Sequence, residues 1–172
     1  MPPAMPRQLD IIAGRAWVFG DNIDTDLLAP GHAMRKPLEE LSRHCLEAIA
    51  PQFAGSVQRG DLLVAGDGFG IGSSREQAAQ ALLHLGIGAV LSRSPARIFY
   101  RNALNLGLPV LRFAEAQQVH DGDRLELDFG QSVVRNLTSG ITHAVEPIPA
   151  FLMEMLRDGG LIPHLHRRLN HP

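Results

Sequence analysis

Residues 66 to 75 of the 172-residue chain read GDGFGIGSSR. Gly66, Gly68, Gly70 and Gly72 alternate with other residues, and Ser73, Ser74 and Arg75 follow at once. Glycines let backbone N–H groups approach a ligand closely. Ala78, Leu82 and Leu85 fall on one face of a helix, whose positive end would lie at the two serines. Arg75 adds a fixed cation with a planar fork that suits a carboxylate. Such a constellation could bind a small polycarboxylate, and a hydroxyl beside a helix start and a guanidinium could move a proton. The same residues also admit a purely structural reading. Ser73-x-x-Glu76 fits a capping box, in which the serine caps the helix and Glu76 returns to the cap's own N–H.

Three familiar glycine loops fail on residues. A dinucleotide fingerprint wants glycines at i, i+2 and i+5, yet the third position is Ile71 counted from Gly66 and Ser73 counted from Gly68. A Walker loop needs a lysine, and the stretch contains none. A nucleophile elbow needs glycine two residues after its serine, where Ser74 has Glu76.

The elements that must position this loop can be read on either side of it. Gly14–Gly20 (GRAWVFG) and Asp61–Gly66 (DLLVAG) predict short strands. GAVLSR, a helix in PARIFYRNALNLG closed by Gly107, and the strand PVLRF follow, giving a βαβαβ run from Asp61 to Phe113 and hence a parallel sheet. PLEELSRHCLEAIA has Leu38, Leu41, Cys45 and Leu46 near helical spacing. From Asp121 onward, GDRLELDFG, QSVVRNLTSG and ITHAVEPIP are turn-punctuated segments that suggest antiparallel strands. AFLMEMLRDGGLIPHLHRRLNHP reads as a helix, a Gly-Gly break and a basic tail. The expectation is one mixed α/β domain over residues 1–172, with the C-terminal helix and tail from about residue 148.

Composition narrows the function classes. Hydrophobic residues make up 45% and charged residues 20%, a globular profile. A formal net charge of −2 argues against a general nucleic-acid binder. No apolar run approaches the roughly 20 residues that cross a bilayer, and MPPAMPRQLD lacks the apolar core of a secretory signal, so the cytoplasm is expected. The single cysteine, Cys45, cannot hold a zinc ion or an iron–sulfur cluster by itself and reads as a small core residue. His164-x-His166 would share one face of a strand, but no acid or cysteine cluster accompanies the pair, so no metal is assigned.

The stretch from Gly66 to Leu111 resembles the signature of the small subunits of 3-isopropylmalate dehydratase, the detached swivel domain of the aconitase superfamily. GDNIDTDLLAPG, Gly20–Gly31, is similar to that family's other hallmark and stands in the expected order. The resemblance implies a three-layer β/β/α swivelling domain with a mixed, partly parallel sheet. It implies a hydro-lyase that moves a hydroxyl between neighbouring carbons of a hydroxy acid, foremost 2-isopropylmalate to 3-isopropylmalate in leucine biosynthesis. It also implies a large partner subunit that supplies the [4Fe–4S] cluster, so that this chain binds no cofactor of its own.

Carried over residue by residue, the resemblance makes Ser73 the base that removes the substrate Cα proton, with Ser74 and Arg75 binding substrate. Asp21, Asp24, Thr25 and Asp26 would orient the serine loop and line the cleft, Thr25 on the substrate side, while Gly70 and Gly72 shape the loop. An Asx-turn cluster ending a strand is the structural alternative for the Asp-rich segment. Arg97 and Arg101, four apart on one helix face, match the family's pattern as substrate-side or interface residues, or form a solvated face. Ala33, Met34, Arg35 and Lys36 occupy the positions where related subunits carry an aromatic-Leu-x-x segment that reads the substrate side chain. Arg35 there would suit a further carboxylate, which brings in a homoaconitate-, methylmalate- or citrate-type substrate. A binding module for small carboxylates, without chemistry, is the reading from another class. A swivel domain without its partner exposes a functional face, so self-association of the isolated chain is expected as well.

Overall fold

A computed structural model describes residues 9–170. The proline-rich stretch read above for a secretory signal falls largely outside them, in residues 1–8, as do His171 and Pro172. Seven strands form one sheet in the order β4-β3-β2-β1-β5-β6-β7. Four are parallel: β1 (Ile11–Val18), β2 (Leu62–Phe69), β3 (Ala89–Pro95) and β4 (Val110–Arg112). The other three, β5 (Arg124–Asp128), β6 (Val133–Asn136) and β7 (Thr142–Ala144), join antiparallel through β1. The helices are α1 (Thr25–Leu28), α2 (Leu38–Ser42), α3 (Phe53–Ser56), α4 (Glu76–Leu85), α5 (Arg97–Leu106), α6 (Ala150–Arg157) and α7 (Leu161–Asn170).

Strand alternation divides the core in two. Leu63 and Ala65 of β2 and Val90 of β3 pack with Ala78, Leu82, Phe99 and Phe53 on the helical side. Leu62, Val64, Ala89 and Leu91 turn the other way and pack with Leu125, Leu127 and Val134 of the antiparallel half. Apolar residues on both faces of β2 are what a central parallel strand requires. The antiparallel strands thus curl back beneath the parallel ones, giving helix, parallel and antiparallel layers.

One buried carboxylate ties β1 to the entry of β2. Asp61 accepts from Trp17 Nε1 at 2.9 Å, from Arg15 N at 3.1 Å and from Gln58 N at 2.9 Å. Asp61→Ala would leave these donors without their acceptor. The expected loss is roughly 2–4 kcal/mol by urea unfolding, since each orphaned buried group costs more than an average hydrogen bond gains.

Several sequence expectations shift. PLEELSRHCLEAIA does not form one helix: α2 stops at Ser42 and turns carry the chain on. Leu46 adopts φ 59° and donates its N–H to Leu27 O at 2.8 Å, so a tertiary bond outcompetes helical spacing. Cys45 is buried, as expected. After Gly159 and Gly160 the basic tail is a helix, α7, so His164 and His166 do not lie on a strand. His164 Nδ1 and Arg167 Nη1 each meet the buried Asp158 at 2.6 Å, which fastens α7 to the end of α6. No helix among the described residues is long and apolar enough to cross a membrane.

Candidate active site

Gly66 and Gly68 belong to a strand, not a free loop, and Gly70 and Gly72 follow its end. β2 runs on through Phe69, past the expected end at Gly66, with a register irregularity between Asp67 and Phe69. Side chains in a strand alternate between faces, so glycine at every second position strips one face bare. The Asp-rich segment runs alongside β2, and its Asp21 and Asn22 side chains occupy the space over the glycines. A Cβ on Gly66 would overlap Asp21 Oδ1, and one on Gly68 would come within 2.9 Å of Asn22 Oδ1.

A backbone ladder then binds the two motifs. Asn22 N donates to Asp67 O at 2.7 Å, Gly70 N to Ile23 O at 2.7 Å and Thr25 N to Ile71 O at 2.9 Å. Thr25 Oγ1 completes it by donating to Ser73 O at 2.9 Å. Gly70 and Gly72 have φ of 79° and 101°, the left-handed region that other residues enter only at a cost. Asp24 caps α1 by accepting from Leu27 N at 2.8 Å. Thr25 therefore acts on the serine loop through its backbone, whereas Asp24 fixes the start of α1.

The capping-box geometry is absent. α4 begins at Glu76 with extended Arg75 as its cap residue and no side-chain cap bond. The Thr25 bond to the Ser73 carbonyl keeps Ser73 outside the helix. Ser73 is exposed, and its hydroxyl has no hydrogen-bond partner among the described residues. Ser74, also exposed, accepts a long bond from Asn102 Nδ2 of α5 at 3.4 Å.

Arg75 is held in place on one side only. Its Nη1 donates to Asp26 Oδ1 at 2.7 Å and to Ala29 O at 2.8 Å. The Nε–Nη2 edge meets no acceptor among the described residues, and the side chain keeps 21% of its exposure. A guanidinium edge of this kind presents two parallel donors to a carboxylate. The Arg75 hydrogen bond, then the Gly31 N–H, hold the Asp26 carboxyl below its usual range. Asp26 thus keeps its charge across neutral pH. Any contribution of the pair to stability is present above the ordinary aspartate range and lost as acid takes the pH through the lowered value.

Asp21 serves a second network. Arg93 Nη2 binds Asp21 Oδ1 at 3.1 Å and also Asp67 Oδ2, while Ser94 Oγ donates to Asp67 Oδ1 at 3.0 Å. Ser94 first and Arg93 second lower the Asp67 pKa. A cavity of about 250 Å³ beside Asp21, Gly66 and Arg93 is separate from Ser73, which lies on open surface. Arg97 and Arg101 are exposed on α5. Arg35 is exposed without an ion-pair partner among the described residues, whereas Ala33 is buried and Met34 packs against the helical core. Arg93 and Asp67, which join Asp21, and Asn102, which meets Ser74, are contacts that sequence reasoning misses. Neither Arg93 nor Asn102 stands out by local spacing, since their partners lie 26 to 72 residues away.

Cys45, the chain's one cysteine, is fully buried, and burial pushes its thiol pKa up. A neutral thiol sealed in the core is no ligand for iron, and the described residues offer no thiolate set for a cluster.

The layered, mixed sheet and the serine loop held by an Asp-rich segment fit the swivel domain that the sequence resemblance implies. Residues 40–116 match the family model described as the aconitase C-terminal domain. The chain is 46% identical over 164 residues to 3-isopropylmalate dehydratase small subunit 1 of Thermotoga maritima, covering 94% of this chain and 99% of that one. It is 47% identical over 155 residues to the methanogen homoaconitase small subunit of Methanothermobacter thermautotrophicus, covering 90% of each. The crystal structure of 3-isopropylmalate dehydratase from Methanocaldococcus jannaschii superimposes with a TM-score of 0.89 at 41% identity, over 93% of this chain and 96% of that one. The chain belongs to the 3-isopropylmalate dehydratase small-subunit family, and so to the hydro-lyases.

Proposed function

We propose that this chain is the small subunit of an iron–sulfur hydro-lyase that interconverts 2-isopropylmalate and 3-isopropylmalate. The observation that carries the reading is the open Nε–Nη2 edge of Arg75 two residues after the exposed, unpartnered Ser73. Arg75 grips the substrate carboxylate. Ser73 Oγ, in its deprotonated form, takes the proton from the adjacent carbon as the neighbouring C–O bond breaks and the hydroxyl leaves as hydroxide; rehydration of the resulting double bond returns a proton to one carbon and hydroxide to the other. Negative charge grows on the gripped carboxylate as the C–H bond breaks, so a fixed cation there favours the transition state over the ground state. Ser74 contacts substrate, and Thr25 completes that wall while holding the loop. Asp21, Asp24 and Asp26, with Gly70 and Gly72, keep the loop in register.

The [4Fe–4S] cluster is assigned to a large partner subunit, since a single cysteine cannot hold it. A partner that closes over Ser73 would also account for a reactive loop lying on open surface. The isolated chain is then expected to bind malate analogues weakly or not at all in calorimetry. Tight binding by the chain alone would favour a carboxylate-binding module instead.

A second substrate reading rests on Arg35. Its exposed guanidinium, in a loop where Met34 turns inward, suits a substrate with an additional carboxylate, of the homoaconitate or citrate kind. The similarity to a homoaconitase small subunit supports keeping it. A substrate panel run on the reconstituted pair decides between the two: turnover of the isopropyl substrate alone upholds the first reading, and preference for the tricarboxylate replaces it.

Arg75→Lys tests the carboxylate grip. Lysine keeps the charge but loses the fork, so KM is expected to rise about 10- to 100-fold, the equivalent of one charged hydrogen bond. The melting temperature should barely move. Unchanged KM would remove Arg75 from substrate binding.

A further inference from the structure

Away from the serine loop, three metal-ligating side chains converge where α2 runs out into turns. His32 Nε2 lies 3.2 Å from Glu47 Oε1, and His44 Nδ1 lies 2.7 Å from Glu47 Oε2. The two imidazole rings meet edge to face at 5.0 Å. One ligand atom from each of the three residues lies within 4.8 Å of the others. Ligand atoms on a four-coordinate zinc ion, at about 2.0–2.2 Å from the metal, stand roughly 3.3 Å apart. The His32–Glu47 spacing already matches, and the His44–Glu47 spacing needs only a small turn of the carboxylate.

The backbone holds these residues ready. Cys45 and Leu46 are buried between His44 and Glu47, and the Leu46 N–H is bonded to Leu27 O at 2.8 Å. His32 sits in a single helical turn, Gly31–Ala33, whose Ala33 is also buried. The three side chains thus project from anchored positions, though they stand 12 and 3 residues apart in the chain (32 to 44, 44 to 47).

We propose that His32, His44 and Glu47 form a binding site for a divalent transition cation of the zinc class, with water in the fourth position. Two imidazoles and one carboxylate favour zinc, cobalt or nickel over magnesium and calcium, which prefer all-oxygen shells. Occupancy would clamp the turn at His32 to the segment after α2. Gly31 donates its N–H at 3.1 Å to Asp26 Oδ1, the same atom that holds Arg75, and Arg35 follows three residues after His32. The ion would therefore stiffen the segment that runs from the arginine anchor to Arg35. This site is independent of the dehydratase reading, because binding is measured on the isolated chain without substrate.

The test titrates zinc chloride into the untagged, chelator-treated full chain by calorimetry, with cobalt absorption to report coordination. Wild type is expected to bind one equivalent, with a tetrahedral cobalt spectrum and a raised melting temperature. His44→Gln and Glu47→Gln should each weaken the binding at least about tenfold, with circular dichroism unchanged, and a His166→Ala control on α7 should bind like wild type. No saturable binding by wild type overturns the proposal. So does equal binding by the His44→Gln and Glu47→Gln variants, or binding lost only in the His166→Ala control.

Discussion

Ser73→Ala is expected to abolish turnover of the reconstituted two-subunit enzyme while leaving the chain folded. General-base contributions are worth about 10²–10⁴ in rate, so kcat should fall by at least a hundredfold. The melting temperature should stay within the error of wild type. This second half follows from the local geometry. The Ser73 hydroxyl caps no helix, and Thr25 holds the residue through its carbonyl, which alanine retains. A helix-capping serine would instead cost about 1 kcal/mol of stability. Thermal melts and steady-state kinetics on the same preparation separate the two effects.

Gly70→Ala is expected to be the most damaging single methyl group in the loop. Its Cβ would overlap the Cβ and Cγ atoms of Phe99, a ring fully packed in the core. Phe99 cannot step aside, because it also stands edge to face with Phe69 at 5.1 Å. The residue must in addition hold φ 79°. Left-handed strain of about 1–2 kcal/mol and overpacking of about 1–3 kcal/mol act at one site. The combined loss should be roughly 2–5 kcal/mol by chemical denaturation. Relief of the clash would move the Ile71–Ser73 backbone that Thr25 grips, so activity should fall in whatever fraction stays folded. A mild effect on both would mean that the loop tolerates displacement and that its register does not matter.

Much of the fold is legible in the amino-acid sequence alone. The βαβαβ run from Asp61 to Phe113, the antiparallel strands after Asp121 and the closure of α5 by Gly107 follow from local periodicity and punctuation. The two motifs and their order point to the family. What stays hidden depends on contacts between distant segments. Alternating glycines look like a loop until the Asp21 and Asn22 side chains are seen to occupy the space over Gly66 and Gly68 of β2. Helical spacing through Leu46 promises a longer α2 and cannot reveal the competing bond to Leu27. Ser73 and Glu76 satisfy the letters of a capping box, yet the helix begins only at Glu76, because a threonine 48 residues upstream holds Ser73 by its carbonyl. Arg93 lies near the end of a strand with no local sign that it joins Asp21 to Asp67.

The proton step itself offers the sharpest measurement: exchange of the substrate Cα hydrogen with deuterated water, followed by nuclear magnetic resonance in the reconstituted enzyme. Wild type should incorporate solvent deuterium at that carbon, and Ser73→Ala should slow incorporation at least about a hundredfold while Arg75 and substrate binding stay in place. If the variant exchanged as fast as wild type, another group would have to be the base, and Ser73 would have no part in moving the proton.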